Sequence, residues 1–99
     1  MYISNYSGTI FLPQESTGFV YDQNKGVIYG VFQGEKYAMA FCSDNDTAKK
    51  VIHNAIEEVE KAIRLRNRVY VCFPSPEEIN KMVKAADMQK NNSFEEGII

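Results

Sequence analysis

The chain has 99 residues, 44% of them hydrophobic and 24% charged, and its formal net charge at pH 7 is −2. That length suits one domain with one core, and the slightly acidic balance gives no overall attraction to nucleic acid or to an anionic membrane. No stretch approaches the roughly 20 apolar residues of a membrane span, and no basic and apolar leader opens the sequence. We therefore expect a cytoplasmic protein in which Cys42 and Cys72 are reduced, buried thiols.

The residues up to Cys42 consist of short β-type runs separated by turn residues, and they carry most of the aromatic side chains. Gly26 and Gly34 can take the positive φ that tight turns require. These features predict an antiparallel β-meander of four to five strands. The predicted strands are 2–6, 9–12, 19–21, 27–33 and 36–42.

Both faces of this meander are apolar. Strict alternation places Tyr37, Met39 and Phe41 on one face, and Ala38 and Ala40 on the other. An antiparallel sheet with one solvated face normally alternates apolar and polar side chains. We therefore expect helices to cover one face, and a partner, a ligand or the C-terminal tail to cover the other.

An amphipathic helix follows the meander. Apolar residues recur at helical spacing between Ser43 and Arg68, with charged residues on the opposite side. Asn67 is a suitable C-terminal stop for this helix. Residues 69–73 then form a continuous apolar run, which predicts an interior strand.

The segment 75–78, Ser-Pro-Glu-Glu, is the clearest local signal in the chain, because it supplies an N-cap serine, a proline at the first helical position and a glutamate at N3. A second helix starts there. The order of elements predicts an α+β fold in which an antiparallel meander is followed by α-β-α, with the helices packed on one face of a single sheet. Residues 1–90 form one domain in this interpretation, and residues 91–99 form a tail that is flexible or docked on a partner.

Three arginines, Arg64, Arg66 and Arg68, lie close together at the end of the long predicted helix. Guanidinium groups bind phosphate and carboxylate through paired hydrogen bonds. Cations at a helix C-terminus also complement the helix dipole without any ligand. Because arginine rather than lysine recurs three times, we interpret the cluster as a candidate anion-binding site.

Tyrosines in the strands are candidates for stacking on a flat ligand. We assign Tyr29, Tyr37 and Tyr70 to the same ligand site as the three arginines, with the rings stacking a base and the guanidiniums meeting phosphate. Aromatic side chains in strands also serve as subunit interface or as core, and these alternatives stay open. The wider candidate aromatic surface comprises Tyr2, Tyr6, Phe19, Tyr21, Tyr29, Phe32, Tyr37 and Phe41.

Acidic residues open both predicted helices. If strands 36–42 and 69–73 are parallel neighbours, both helix starts lie on one sheet edge, where carboxylates could hold Mg²⁺. Acidic side chains in a first helical turn also follow from the helix dipole alone, and we favour that interpretation over a metal site. The residues concerned are Asp44, Asp46, Glu77 and Glu78.

Cysteine and histidine chemistry is the last candidate. Cys42 and Cys72 lie in apolar runs, whereas His53 projects from the polar side of its helix. A nucleophilic thiol needs an adjacent base, and a structural zinc site needs four ligands, so neither pattern is met. We expect no catalytic residue, no metal and no cofactor.

These observations lead to one functional hypothesis and two alternatives. The hypothesis is a non-catalytic, homo-oligomeric binding protein that sequesters or senses a small anionic, nucleotide-like ligand near a subunit interface. The alternatives are a single-stranded nucleic-acid-binding regulator, which the negative net charge disfavours, and a small inhibitor of a protein partner. No membrane association is expected.

Overall fold

The computed structural model describes residues 1–85, so the expected tail at 91–99 lies outside the described residues. All six predicted strand regions form strands, and both predicted helices are present. The strands are β1 Tyr2–Ser4, β2 Phe11–Pro13, β3 Gly18–Asp22, β4 Val27–Phe32, β5 Glu35–Phe41 and β6 Tyr70–Cys72. The long helix α1 spans Asn45–Leu65, the helix α2 covers residues 76–85, and a 3-10 turn lies at Gln14–Ser16.

The strands form two sheets of three strands each. One is the antiparallel meander β3-β4-β5, and the other has the order β2-β1-β6, which we call the mixed sheet. In the mixed sheet, β1 is antiparallel to β2 and parallel to β6. The α+β class and an antiparallel meander are thus confirmed, but the meander has three strands and not the expected four to five, and the six strands do not form a single sheet. The reason is that β6 pairs with the first strand of the chain and not with β5.

The loop between β1 and β2 is organised by one buried polar side chain. The Asn5 Oδ1 atom accepts hydrogen bonds from the amides of Thr9 and Ile10 at 2.9 and 3.0 Å. The Asn5 carbonyl also accepts from the amide of Gly8, which has a φ of +69°. This local network turns the chain back on itself and places β2 beside β1.

The core lies between α1 and the inner faces of both sheets. Small and β-branched residues of α1 let the helix pack closely against β6 and β3. The two sheets approach each other at Gly30, where a Cβ atom would lie 2.9 Å from the Leu12 Cδ1 atom. The buried core comprises Ile3, Leu12 and Val71 of the mixed sheet, Ile28, Met39 and Ala40 of the meander, Ala48, Val51, Ala55, Val59 and Ala62 of α1, and Cys42, Phe73 and Ile79.

A β-bulge changes the faces of β5. Ile28 pairs with Ala40 while Tyr29 pairs with Ala38, so Met39 is an extra residue in its strand. Paired residues point to the same side of a sheet, and Phe41 therefore shares a face with Ala38. The expected grouping of Tyr37 with Phe41 is wrong for this reason, because strict alternation holds only in a strand without a bulge.

Both helices begin with a side-chain cap. The Thr47 amide donates to the Asp44 carboxylate at 2.6 Å, which satisfies an amide of the first turn of α1. The Glu78 amide donates to the Ser75 hydroxyl at 3.2 Å, and that hydroxyl lies 3.4 Å from the Glu78 Oε1 atom. The serine cap at the start of α2 is therefore confirmed.

Candidate anion-binding site

The loop from Arg66 to Val69 connects α1 to β6, and its start has an unusual backbone. Arg66 is in the left-handed conformation with φ 54° and ψ 33°, and its amide donates to the carbonyl of Ala62 at 2.8 Å. Glycine or asparagine normally occupies such a position, and the sequence indicated Asn67. The helix instead ends one residue earlier, with an arginine in the strained position. A non-glycine residue held there is a reason to look for function.

The other end of the loop is attached to β1. The Tyr2 amide donates to the carbonyl of Val69 at 3.1 Å. Beyond this bond the parallel ladder continues, with Tyr2 opposite Tyr70 and Ile3 opposite Val71. The loop backbone is therefore held at both ends, at one by α1 and at the other by the first strand.

An open depression of about 730 Å³ lies against this loop. Three residues that the sequence assigned to the ligand site line it together, namely Arg66, Arg68 and Tyr70. The full lining is Arg66, Asn67, Arg68, Val69, Tyr70 and Cys72. The depression thus combines two cationic groups, one amide and one aromatic ring at a single surface.

The two guanidinium groups differ in their electrostatic surroundings. The Arg68 Nη2 atom lies 2.6 Å from the Glu58 Oε2 atom of α1, and both side chains are about half exposed. Within residues 1–85, Arg66 has no ion-pair partner. The carboxylate orients Arg68 and balances its charge, and Arg66 leaves the site with a net positive charge.

The Tyr70 ring is fixed by a neighbour on the outer face of the mixed sheet. Its centroid lies 5.3 Å from that of Phe11, and the two rings are edge to face at 82°. Beneath them Ser4 is fully buried, with its hydroxyl 2.9 Å from the Cys72 Sγ atom. Tyr70 still has 43% of its surface exposed, so a ligand can reach a ring that is already held in place.

The other assigned ligand residues lie elsewhere. Arg64 is exposed in the last turn of α1 and does not line the depression. Tyr29 is on the outer face of the meander, with the Lys36 Nζ atom 5.8 Å from its ring centroid. The Tyr37 hydroxyl donates to the Glu35 Oε2 atom at 3.1 Å, and this bond raises the pKa of Tyr37 above its usual value of 10.0.

Three residues that line the depression, Asn67, Val69 and Cys72, were not predicted from the sequence to contact a ligand. Asn67 and Val69 lie between the chosen arginines and tyrosine, so their position in the sequence was a usable signal. Cys72 is two residues from Tyr70 in the predicted strand 69–73, so the alternation of side chains was the signal that could have placed it on the same face as Tyr70.

The acidic residues at the two helix starts do not form a shared site. Within residues 1–85, no three His, Cys, Asp or Glu side chains are close enough together to hold a metal ion. The condition for convergence is not met, because β5 and β6 belong to different sheets. Asp44 and Glu78 instead take part in the two helix starts described above.

The cysteines and the histidine are also apart. Burial raises the pKa of the Cys42 thiol, and the Asp44 carboxylate raises it further. The expected burial holds for Cys42 but is wrong for Cys72, which is exposed because it lies on the outer face of the mixed sheet, and neither thiol forms a disulfide. The His53 Nε2 atom lies 2.9 Å from the Glu57 Oε1 atom on the exposed side of α1, so it is not beside a thiol.

Comparison with known proteins adds no assignment, since no family model, no curated protein and no solved structure matches this chain. Neither helix in the described part of the chain has the length and apolar character needed to cross a membrane.

Proposed function

We propose that this protein binds a small anionic, nucleotide-like ligand at the depression beside residues 66–70, without transforming it. The observation that carries the proposal is the convergence of Arg66, Arg68 and Tyr70 on one surface. Guanidinium groups recognise phosphate through paired hydrogen bonds, and an exposed phenol ring stacks on a base. A nucleotide carries both of these groups.

The proposed site is organised before any ligand arrives. The 66–69 backbone is attached to Ala62 at one end and to Tyr2 at the other. Glu58 orients Arg68, and Phe11 holds the ring of Tyr70. A ligand that binds a preorganised site loses less free energy to ordering of loops and side chains.

Isothermal titration calorimetry with adenosine monophosphate tests the site. We expect Arg66→Ala and Arg68→Ala each to weaken binding by roughly ten- to a hundredfold, the usual range for a hydrogen bond to a charged group. Arg64→Ala is the matched control, because it removes the same side chain from the neighbouring turn of α1. Equal losses in all three variants, or no binding by the wild type, would refute the proposed site.

The proposal that the ligand is not transformed has its own test. Nucleotide incubated with the protein and then separated by chromatography should be recovered intact. Appearance of a product at a rate proportional to protein concentration would make the protein an enzyme.

We also propose that the protein is a homo-oligomer in the cytoplasm. The outer face of the meander supports the first part, since Val20 and Phe41 are each at least 40% exposed there. The free thiols Cys42 and Cys72 support a reducing compartment. Size-exclusion chromatography with light scattering should give a mass at least twice that of one chain. A single-chain mass at every concentration would contradict the oligomer.

A further inference from the structure

Arg66 and Arg68 border a second depression. It has a volume of about 380 Å³ and lies between the end of α1 and the start of β1. Tyr2 and Ile63 line it together with Arg66, Arg68 and Val69. The two arginines therefore stand between two hollows, and the larger one is the depression that contains Tyr70.

Each hollow has one exposed tyrosine. Tyr70 lines the larger one and is 43% exposed, whereas Tyr2 lines the smaller one and is 50% exposed. The two residues are directly paired in neighbouring parallel strands, which lie about 4.8 Å apart in such a sheet. Each depression therefore has a tyrosine beside the same two arginines, and because paired residues point to the same side of a sheet, both tyrosines lie on one face of the mixed sheet.

The net charge of the site indicates which kind of phosphate group it matches. Arg68 is balanced by Glu58, so the two arginines and this carboxylate sum to one positive charge. A terminal phosphate carries about −1.5 to −2 charges near neutral pH, whereas a phosphodiester has no second proton to lose and carries a single one. The phosphodiester therefore matches the site more closely.

We infer that the ligand contains a dinucleotide unit, with one phosphodiester at Arg66 and Arg68 and one base in each hollow, near Tyr70 and near Tyr2. This inference rests on the proposed function and narrows its ligand class. A mononucleotide fills only the larger hollow and leaves the second tyrosine without a role. Stacking on both rings adds a second favourable contact for one additional base.

Calorimetry with adenylyl-(3′,5′)-adenosine and with adenosine monophosphate tests the inference. We expect the dinucleotide to bind roughly tenfold more tightly, the lower part of the range for one additional stacked base. Tyr2→Ala should remove that advantage, so it should weaken dinucleotide binding roughly tenfold more than it weakens mononucleotide binding. Tyr2→Phe keeps a ring and should retain the advantage, and Tyr29→Ala is a control on the other sheet.

The outcomes separate the two proposals. If neither nucleotide binds, the proposed function and the inference both fail. If both bind with equal affinity, or if Tyr2→Ala weakens both to the same degree, the inference alone is overturned. A longer oligoadenylate contains several dinucleotide units, and its affinity should rise only in proportion to their number. A larger rise would also overturn the inference, because it would show that the protein binds an extended single strand.

Discussion

The meander and the mixed sheet contrast in how the chain builds them. In the meander, each strand pairs with its neighbour in sequence across a turn of a few residues, such as the one closed by Gly26. In the mixed sheet, Tyr2 pairs with Tyr70, so the central contact joins two strands that are separated in sequence by the meander and α1. The meander is formed by local contacts, whereas the connection from β1 to β6 runs through β2, the meander and α1.

The candidate site depends on the non-local sheet. Arg66, Arg68 and Tyr70 are close in sequence, but the far end of their loop is held in place because β6 lies beside β1. Tyr2 enters the site for the same reason. Closing so long a loop costs conformational entropy that only the burial of core residues can offset. Stability of the mixed sheet and ligand binding should therefore be coupled, whereas the meander should affect stability alone.

The largest expected effect comes from the centre of the mixed sheet. Ile3 is fully buried between Leu12 and Val71, its partners in the flanking strands. We expect Ile3→Ala to lower the free energy of unfolding by about 2–5 kcal/mol, through lost apolar contact and the cavity left behind. Urea denaturation measures this change. The folded fraction should also bind adenosine monophosphate more weakly. Unchanged affinity would show that ligand binding does not depend on the stability of the mixed sheet.

A turn of the meander provides the corresponding test on the other sheet. At Gly26, with φ +68°, a Cβ atom would lie 2.9 Å from the carbonyl oxygen of Cys42, whereas at Gly34, with φ +79°, it would meet no atom within 4 Å. Gly26→Ala should cost about 2–3 kcal/mol and Gly34→Ala about 1 kcal/mol, because only the first adds a clash to the strained φ. Both costs are measured by urea denaturation. Folded Gly26→Ala should keep its nucleotide affinity. A lower affinity in this variant would show that the meander also affects ligand binding.

A smaller effect is expected at Arg66, where stability and binding should separate. Arg66→Gly and Arg66→Ala remove the same guanidinium, but only glycine takes the left-handed conformation without strain. We expect Arg66→Gly to unfold at higher urea concentration than Arg66→Ala, by about 1 kcal/mol in stability. Both variants should lose nucleotide affinity equally. Equal stability of the two variants would mean that the backbone at this position carries no strain.

The smallest effect is an alkaline loss of stability that belongs to the meander. Burial raises the pKa of Tyr21 above 10.0, with further increases from the charges of Cys42, Asp44 and Asp22, and burial raises that of Cys42 above 9.0. A raised pKa in the folded state stabilises the fold fully below the unfolded value and is lost as pH rises through the folded value. Stability should therefore fall above about pH 9.

Tyr21→Phe checks the origin of this loss. The variant should lose less stability than the wild type between pH 10 and pH 12, because one of the two titrating groups is gone. It should also be less stable at pH 7, where the Tyr21 hydroxyl donates to the Cys42 carbonyl at 2.8 Å. Identical alkaline curves for the two proteins would rule out Tyr21 as a contributor.

Sequence patterns predicted the features that arise from neighbours in the chain. Gly26 and Gly34 indicated the turns of the meander, Ser75 marked the start of α2, and apolar spacing marked the buried side of α1. The pairing of β1 with β6 leaves no comparable local mark. For that reason the single sheet was expected, and Tyr2 was counted only among the aromatic residues.

The part of the site that could be predicted is the part whose residues are close in sequence. Arg66, Arg68 and Tyr70 are close in sequence, and they come together in space. Tyr29 and Tyr37 were chosen for their residue type alone, and their strands belong to the other sheet. Whether two strand residues share a site depends on sheet order, which alternation of side chains does not specify.

Amide chemical-shift mapping tests the central claim most directly, namely that the loop before β6, held by the pairing of β6 with β1, carries the ligand site. Nitrogen-15-labelled protein is titrated with adenosine monophosphate, and the backbone amide resonances are followed. The shifts should concentrate at residues 66–72 and at Tyr2, and the amides of Tyr29 and Tyr37 should stay unchanged. Shifts centred on the meander, or a ligand-induced change that leaves residues 66–72 unaffected, would contradict the claim.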